Sequence, residues 1–533
     1  MKNIPLGIQS FRKIVEGDYV YVDKTQYIYD LINSVCHYFL SRPRRFGKSL
    51  LLDTISEVFS GDKELFKGLY IYDSDHNFEM HPVIRLDMSN IANKTPEVLE
   101  KELMISLRKR AKEESIEIDT DYDTPSTIFK TLIVALHIKY NKRVVVLIDE
   151  YDKPILDHLV DLETAEANRQ VLRSFYGILK SMDPYLKFTF ITGVSKFTKT
   201  SIFSELNNLL DITLTKRYAN ICGIETEDLE KYFGEHIKHL STLDDFKRFD
   251  SIHGGILDWY DGYSWDGNTR LINPFSLLSF FLQNRFSSFW YSSGTPTFLI
   301  KLIKENPSSF LSLSDFEISE RSLDTFDIRK MSITPLLFQT GYLTIEERRF
   351  RGDSESYVLR MPNLEVKEAF YLGIIAEFTE NIDYTETAYW RIKESLEEGD
   401  LERMLLILRS LFASIPYQLH IRREAYYHSI FIALMNVLGF SLSAEESTST
   451  GRIDAVLELD DKVYIIEFMY RDCSPEATPE AKAKLFQEAL DEGINQIKNM
   501  GYSKKYSASD KKVYHVAFAF LGRDDIEMTV EVQ

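Results

Sequence analysis

Three groups of residues in this 533-residue chain have types and spacings suited to chemistry. The first is Gly47-Lys48-Ser49, which closes the string Phe39-Leu40-Ser41-Arg42-Pro43-Arg44-Arg45-Phe46 and precedes a helical pattern, LLLDTISEVF. A strand that runs into a helix start presents a row of backbone N–H groups to a phosphate. Lys48 would reach the β and γ oxygens, Ser49 would ligate Mg²⁺, and Gly47 would let the backbone approach closely. Arg44, Arg45 and Phe46 complete this candidate nucleotide loop. The match to GxxxxGK[ST] is imperfect, because Arg42 stands where the first glycine belongs and Pro43 removes an N–H. Taken alone, the segment reads either as a phosphate loop or as a basic turn before an amphipathic helix.

The second group is Asp149-Glu150, at the end of the apolar run VVVLIDE. A strand ending in two acids after such a loop suits nucleotide hydrolysis. Asp149 would hold Mg²⁺ through water, and Glu150 would orient the attacking water. The next strand-like run ends in Thr192-Gly193-Val194-Ser195. There Thr192 or Ser195 would sense the γ-phosphate, unless the segment is an ordinary strand end. No arginine finger stands out; Arg44, Arg45 and Arg217 are candidates, each with a surface or structural role as the alternative.

The third group is Asp454 and Glu467, each near a strand end and flanked by apolar residues. Paired carboxylates of this kind hold a divalent metal for phosphodiester hydrolysis. Glu445 would be a third ligand, and His428 would lie at the rim. Exposed acids at strand ends are the competing explanation.

The surrounding pattern says how these residues are positioned. Runs at Val35–Leu40, Val83–Asp87, Val144–Ile148 and Leu186–Thr192 alternate with helical stretches, which predicts a P-loop-type parallel sheet over residues 1–220. Residues 221–362 read as a helical connector that ends like a winged helix, with a helix over Ser332–Thr340 closed by Gly341 and then a hairpin. Residues 363–420 read as a helical linker region. Residues 421–533 read as a second α/β domain, with a helix around His428–Leu438, a hairpin about 460–462, a helix from Glu476 to Met500 and a strand Val513–Phe520. The fold class is therefore α/β and multidomain.

The formal charge of −19 disfavours a protein that coats nucleic acid or anionic membrane nonspecifically. Three cysteines far apart make neither a disulfide framework nor a zinc site. No signal peptide and no membrane-length apolar run is visible, so the expectation is a cytoplasmic protein.

Several strings together resemble a bacterial family, abundant in Bacteroidetes, that joins an AAA-ATPase-like domain to a C-terminal PD-(D/E)XK nuclease-like domain. They are IPLGIQSFRKIVEGDYVYVDKTQYI, FLSRPRRFGKSLLLDTI, VVVLIDEYDKPI, FITGVSKF, and YHSIF with GRIDAVLEL and VYIIEF. The resemblance implies a degenerate P-loop at 42–49, ATP and Mg²⁺ as cofactors, and DNA as a partner of the C-terminal domain. It also implies that Asp454 and Glu467 are the two acids of the nuclease pattern, with Gln496 matching a glutamine often found there. The motif lysine should then be residue 469, which is methionine. A thioether neither positions a water nor neutralises a phosphate. The domain is then a catalytically dead binding module, or Arg471, Lys482 or Lys484 supplies the charge, or the metal acts alone. Lys498, Lys504, Lys505, Lys511 and Lys512 would offer phosphate contacts, or only solubility. An oligomer is possible.

Overall fold

The structure is a computed structural model. It describes residues 1–34, 37–159, 161–196, 208–247, 249, 251–290, 316–324, 333–351, 354–370, 382–413, 441–447, 452–459, 461–474, 476–500, 506, 511–522 and 525–532. The chain forms two compact units, one built from residues within 1–294 and 315–363, the other including residues 364–533.

The first unit contains a parallel sheet of five strands, β1 (His37–Ser41), β2 (Val83–Asp87), β3 (Val144–Asp149), β4 (Leu186–Gly193) and β5 (Leu210–Asp211), in the order β2-β3-β4-β1-β5. β1 and β3 are buried along their whole length, as strands covered on both faces must be. Val35 and Cys36, where the sequence pattern begins the first strand, lie outside the described residues. β4 is inserted between β1 and β3, with Leu40 opposite Thr192 and Ile148 opposite Ile191. This register brings the carboxyl ends of the three strands, Ser41, Asp149 and Gly193, to one edge.

Parallel neighbours require crossovers, and helices Lys48–Val58, Pro96–Glu113, Pro125–Tyr140 and Leu162–Ser181 provide them. Their starts are written in the sequence. Thr95, Thr124 and Asp161 accept hydrogen bonds from the backbone N–H groups of Val98, Thr127 and Thr164, and proline follows the two threonines.

Beyond β5, helices Thr226–Leu240, Ile252–Tyr260 and Pro274–Gln283 pack around an aromatic core that includes Phe233, Phe246, Tyr260 and Phe280. Strands β6 (Phe316–Ser319), β7 (Thr344–Arg351) and β8 (Ser354–Arg360) form an antiparallel sheet in the order β6-β8-β7, with helices Glu320–Asp324 and Ile333–Thr340 between β6 and β7. That is the helix-then-hairpin order of a winged helix. Gly341 closes the second helix at φ 94°. The helix is buried from Pro335 to Thr340, so it offers no open face to a DNA groove.

The second unit is a mixed sheet of β9 (Ser441–Ser447), β10 (Arg452–Glu458), β11 (Lys462–Arg471), β12 (Lys512–Leu521) and β13 (Asp525–Val532), ordered β13-β12-β11-β10-β9. β9, β10 and β11 form an antiparallel meander; helix Pro479–Met500 then crosses over to β12, which runs parallel to β11. On one face Ile465, Met469, Ala517 and Ala519 pack with Ala489, Leu490, Ile494 and Ile497 of that helix. On the other face Phe468 stacks on Phe518 at 5.6 Å, and Phe412 meets Phe520 at 5.7 Å. The Tyr464 hydroxyl donates to the Leu396 carbonyl, so helices Ile382–Glu398 and Leu401–Ala413 cover this second face. The helix expected around His428–Leu438 lies outside the described residues.

His515 on β12 is 1% exposed, and neither ring nitrogen has a hydrogen-bond partner among the described residues. Burial lowers its pKa; Glu531 across the ladder opposes that shift, and Lys498 adds to it. Above the unfolded value of about 6.5 the group is neutral in both states. Below it the unfolded chain takes up a proton that the folded unit refuses. Stability should therefore fall with acidification, by up to about 1.4 kcal/mol per pH unit. Urea midpoints measured between about pH 7.5 and pH 5 should drop, and His515→Phe should flatten that dependence.

Candidate nucleotide site and nuclease-like site

The phosphate loop is built on a buried arginine. Arg42 is fully buried, and its guanidinium donates to the carbonyls of Ser41 and Thr213 at 2.9 Å and of Tyr218 and Ala219 at 3.3 Å. It also lies 4.1 Å from the centre of the Trp265 ring. Burial lowers its pKa to about 10, which still leaves it charged at neutral pH. The residue that breaks the glycine-rich pattern is thus a staple beneath the loop. Above it the chain turns through left-handed backbone at Arg45 (φ 64°) and Gly47 (φ 93°) and enters helix Lys48–Val58.

Residues after 220 shape this loop. Phe46 is buried between Tyr263 and Trp265, with ring centroids 5.1 and 5.0 Å away. The Trp290 indole N–H donates to the Arg44 carbonyl at 3.2 Å. A Cβ on Gly223 would sit 2.7 Å from the Phe46 ring, and one on Gly341 would sit 2.8 Å from Pro43. Both glycines are therefore required by close approach.

Lys48 is buried, and its ammonium donates to the carbonyls of Arg42 and Pro43 at 2.9 Å. Burial lowers its pKa, against the fields of Asp149, Glu150 and Asp152. Asp149 uses Oδ1 to accept from the Thr192 hydroxyl at 2.6 Å and from the Glu150 N–H at 3.0 Å. With the Ser49 hydroxyl it offers the hard oxygen donors that Mg²⁺ takes. Burial raises the pKa of Glu150, which sits at φ 49°. Ser195 is fully buried, and its hydroxyl donates to Asp152 at 2.5 Å. Thr192 thus holds Asp149 at the end of β3, and Ser195 holds Asp152 in the turn after it. Arg217 lies away from the loop, in an ion pair with Asp30 at 3.1 Å.

Beside the loop lies a cavity of about 620 Å³. Arg44, Arg45, Phe46, Gly47, Lys48, Ser49 and Glu150 are in its wall, with Lys24 and Lys153. Five cations face one acid. The rest is largely apolar, from Ile8, Val20, Ile221, Ile224, Phe275 and Leu278. Residues 5–9, 221–224 and 274–278 are site residues that motif reasoning missed. The N-terminal segment is tied to the P-loop helix: Phe11 N–H donates to Asp53 at 2.7 Å, and Arg12 pairs with Glu57 at 2.8 Å and Asp62 at 3.0 Å.

In the second unit Ala455 lies opposite Ile466, and continuing that register sets Asp454 across from Glu467. Asp454 accepts from the Phe468 N–H at 2.9 Å. Glu467 is buried and accepts from the Gln496 amide at 3.2 Å, so Gln496 faces inward rather than to solvent. The structure thus brings Asp454, Glu467 and Gln496 together. Met469 is 6% exposed, under Gly493, whose hypothetical Cβ would be 3.4 Å from it. The replacement cations do not converge on the acids. Arg471 pairs with Glu492, Lys482 with Asp525 and Lys484 with Glu488. Lys498 and Lys511 pair with Glu531 and Glu458. Lys504, Lys505 and His428 lie outside the described residues, as does the side chain of Glu445 on β9. Among the described residues no group of three metal-ligating side chains occurs.

A parallel sheet with a phosphate loop after β1 and paired acids after β3 defines a P-loop nucleotide-binding class, here with a restriction-nuclease-like second unit. Comparison with known proteins agrees. Residues 5–203 match the AAA-ATPase-like family, described as "Predicted AAA-ATPase", and residues 422–529 match the PD-(D/E)XK nuclease superfamily. The chain is 36% identical over 525 residues to "Uncharacterized protein in vnfD 5'region" of Azotobacter chroococcum mcd 1, covering 97% of this chain and 96% of that one. The chain belongs to this AAA-ATPase-like family with a C-terminal PD-(D/E)XK domain. The Aeropyrum pernix ORC2 protein, solved as ADPNP-ADP complexes, aligns with 66% of this chain and 93% of its own at 11% identity. Its TM-score of 0.28 is too low to bear on fold or function. Among the described residues no helix is long and apolar enough to cross a membrane.

Met469 being core has a direct consequence. Met469→Lys would place an ammonium in the packed space beneath Gly493. The variant should lower the stability of the second unit by several kcal/mol rather than create a nuclease. Thermal melts with plasmid-cleavage assays would check both halves of that expectation.

Proposed function

We propose that the first unit binds and hydrolyses ATP and that the second unit engages DNA without cutting it. The cavity carries the first half of this reading. In a chain with a formal charge of −19, five cations gather around one hollow at a helix start. That arrangement suits a polyphosphate, and the apolar remainder of the wall suits a base.

Backbone N–H groups at the start of helix Lys48–Val58 would hold the phosphate oxygens, with Lys48 swinging from its two carbonyl partners to the β and γ oxygens. Ser49 and Asp149 would hold Mg²⁺, which when bound supplies charge neutralisation between the β- and γ-phosphates. Glu150 would orient the attacking water, and its raised pKa suits a group that takes a proton in passing. Thr192 and Ser195 act through the acids they hold. The domain limits we infer are 1–220 for the nucleotide domain, 221–362 for the connector, 363–420 for the helical linker region and 421–533 for the nuclease-like domain.

For the second unit, Met469 in the core and the pairing of Arg471, Lys482 and Lys484 with other acids favour a binding module. DNA is the partner most consistent with the family of the fold.

Lys48→Ala should abolish ATP turnover, measured as phosphate release; undiminished hydrolysis in that variant would remove the nucleotide assignment. Pure protein with plasmid and Mg²⁺ or Mn²⁺, with and without ATP, should shift the plasmid on a gel and leave it intact. Nicking that disappears in Asp454→Ala would establish a nuclease instead.

A further inference from the structure

The five cations around the cavity are not equivalent. Lys48 donates to the Arg42 and Pro43 carbonyls. Lys153 is held by both oxygens of Asp157, at 2.9 and 3.0 Å, and Lys24 lies 3.5 Å from Asp228. Arg45 turns to the other wall, where its guanidinium lies 3.9 Å from the centre of the Phe275 ring. Arg44 differs. Its carbonyl is fixed by the Trp290 indole, yet among the described residues its guanidinium makes no ion pair, hydrogen bond or ring stack. It lines the same cavity as Lys48 and Glu150, and its charge, like that of Lys48, acts on the Glu150 carboxylate.

We propose that Arg44 is the cation that takes up charge on the γ-phosphate during hydrolysis, so that the arginine finger of this ATPase lies within its own phosphate loop. The inference rests on the ATPase reading above and adds the residue and its subunit of origin. Lys48, Glu150 and Arg44 line one cavity, and a γ-phosphate held by Lys48 and attacked by a Glu150-oriented water would lie there. In the step, the water oxygen forms a bond to Pγ and the bond from Pγ to the β,γ-bridging oxygen breaks. The electron pair leaves with ADP, and the water proton passes by way of the Glu150 carboxylate to the phosphate product. Negative charge grows on the bridging and equatorial oxygens, and a guanidinium there stabilises the transition state more than the ground state. The anchored backbone of Arg44 fixes where that guanidinium can reach. Because the group is supplied in cis, turnover does not require a second copy of the chain.

The test is the kinetics of full-length Arg44→Ala and Arg44→Lys, with binding of a fluorescent ATP analogue measured in parallel and thermal melts to verify folding. Arg44→Ala should lower kcat by about 10²–10³-fold while analogue affinity stays within about threefold, and Arg44→Lys should recover part of the loss. Wild-type specific activity should not change on dilution. Mixing Arg44→Ala with Lys48→Ala protein, which retains Arg44, should restore nothing. An unchanged kcat in Arg44→Ala, a loss confined to affinity, or rescue on mixing would each overturn the proposal. Persistence of turnover in Lys48→Ala would instead overturn the ATPase reading on which it rests.

Discussion

The first unit depends on one buried charge. A guanidinium removed from water is costly unless its donors are met. In Arg42 both terminal nitrogens are met, while Nε has no hydrogen-bond partner among the described residues. Arg42 meets four carbonyls and one indole face, and these come from the end of β1, from residues 213–219 and from Trp265. A hydrogen bond to a charged group contributes about 1.5–3 kcal/mol. The carbonyls can be oriented this way only if the chain after β5 folds back beneath the loop. The P-loop and the connector are thus a single construction. A glycine at position 42 would permit the same turn and leave those carbonyls without their donor.

That dependence explains the many aromatic contacts around the loop. With Arg42 as floor, Phe46 enters the slot between Tyr263 and Trp265, and Gly223 must lack a side chain to let it in. Trp290 then fixes the Arg44 carbonyl. The phosphate-binding geometry arises from packing by residues far along the chain, where other loops of this kind rely on glycine flexibility.

The sequence was legible where a residue's role is local. An unbroken apolar run marks β3 as central, threonine before proline marks helix starts, and Gly47-Lys48-Ser49 marks the phosphate loop. Where a role is set by distant partners, sequence was silent. Nothing in residues 5–9 announces a cavity wall; they become one because Phe11 and Arg12 are held by Asp53, Glu57 and Asp62. Gln496 reads equally as a solvent-facing helix residue until the helix packs on β11 and turns it toward Glu467. The lysines toward the C-terminus read as a phosphate-contacting group, but Lys498 and Lys511 are matched by acids on other strands. Charge pairing between elements distant in the chain has no signature in a single sequence.

Met469 can be understood in the same terms. Helix Pro479–Met500 lies close to the sheet at Gly493, where a Cβ would come within 2.9 Å of Ala517 and 3.4 Å of Met469. An approach that close excludes water from the side chain at 469. A lysine there would carry its charge into that packed space. Met469 and the tight seating of the helix thus belong together, because the thioether side chain fills the space where the helix meets the sheet. The Gln496 amide donates to Glu467 and offsets part of the cost of its burial.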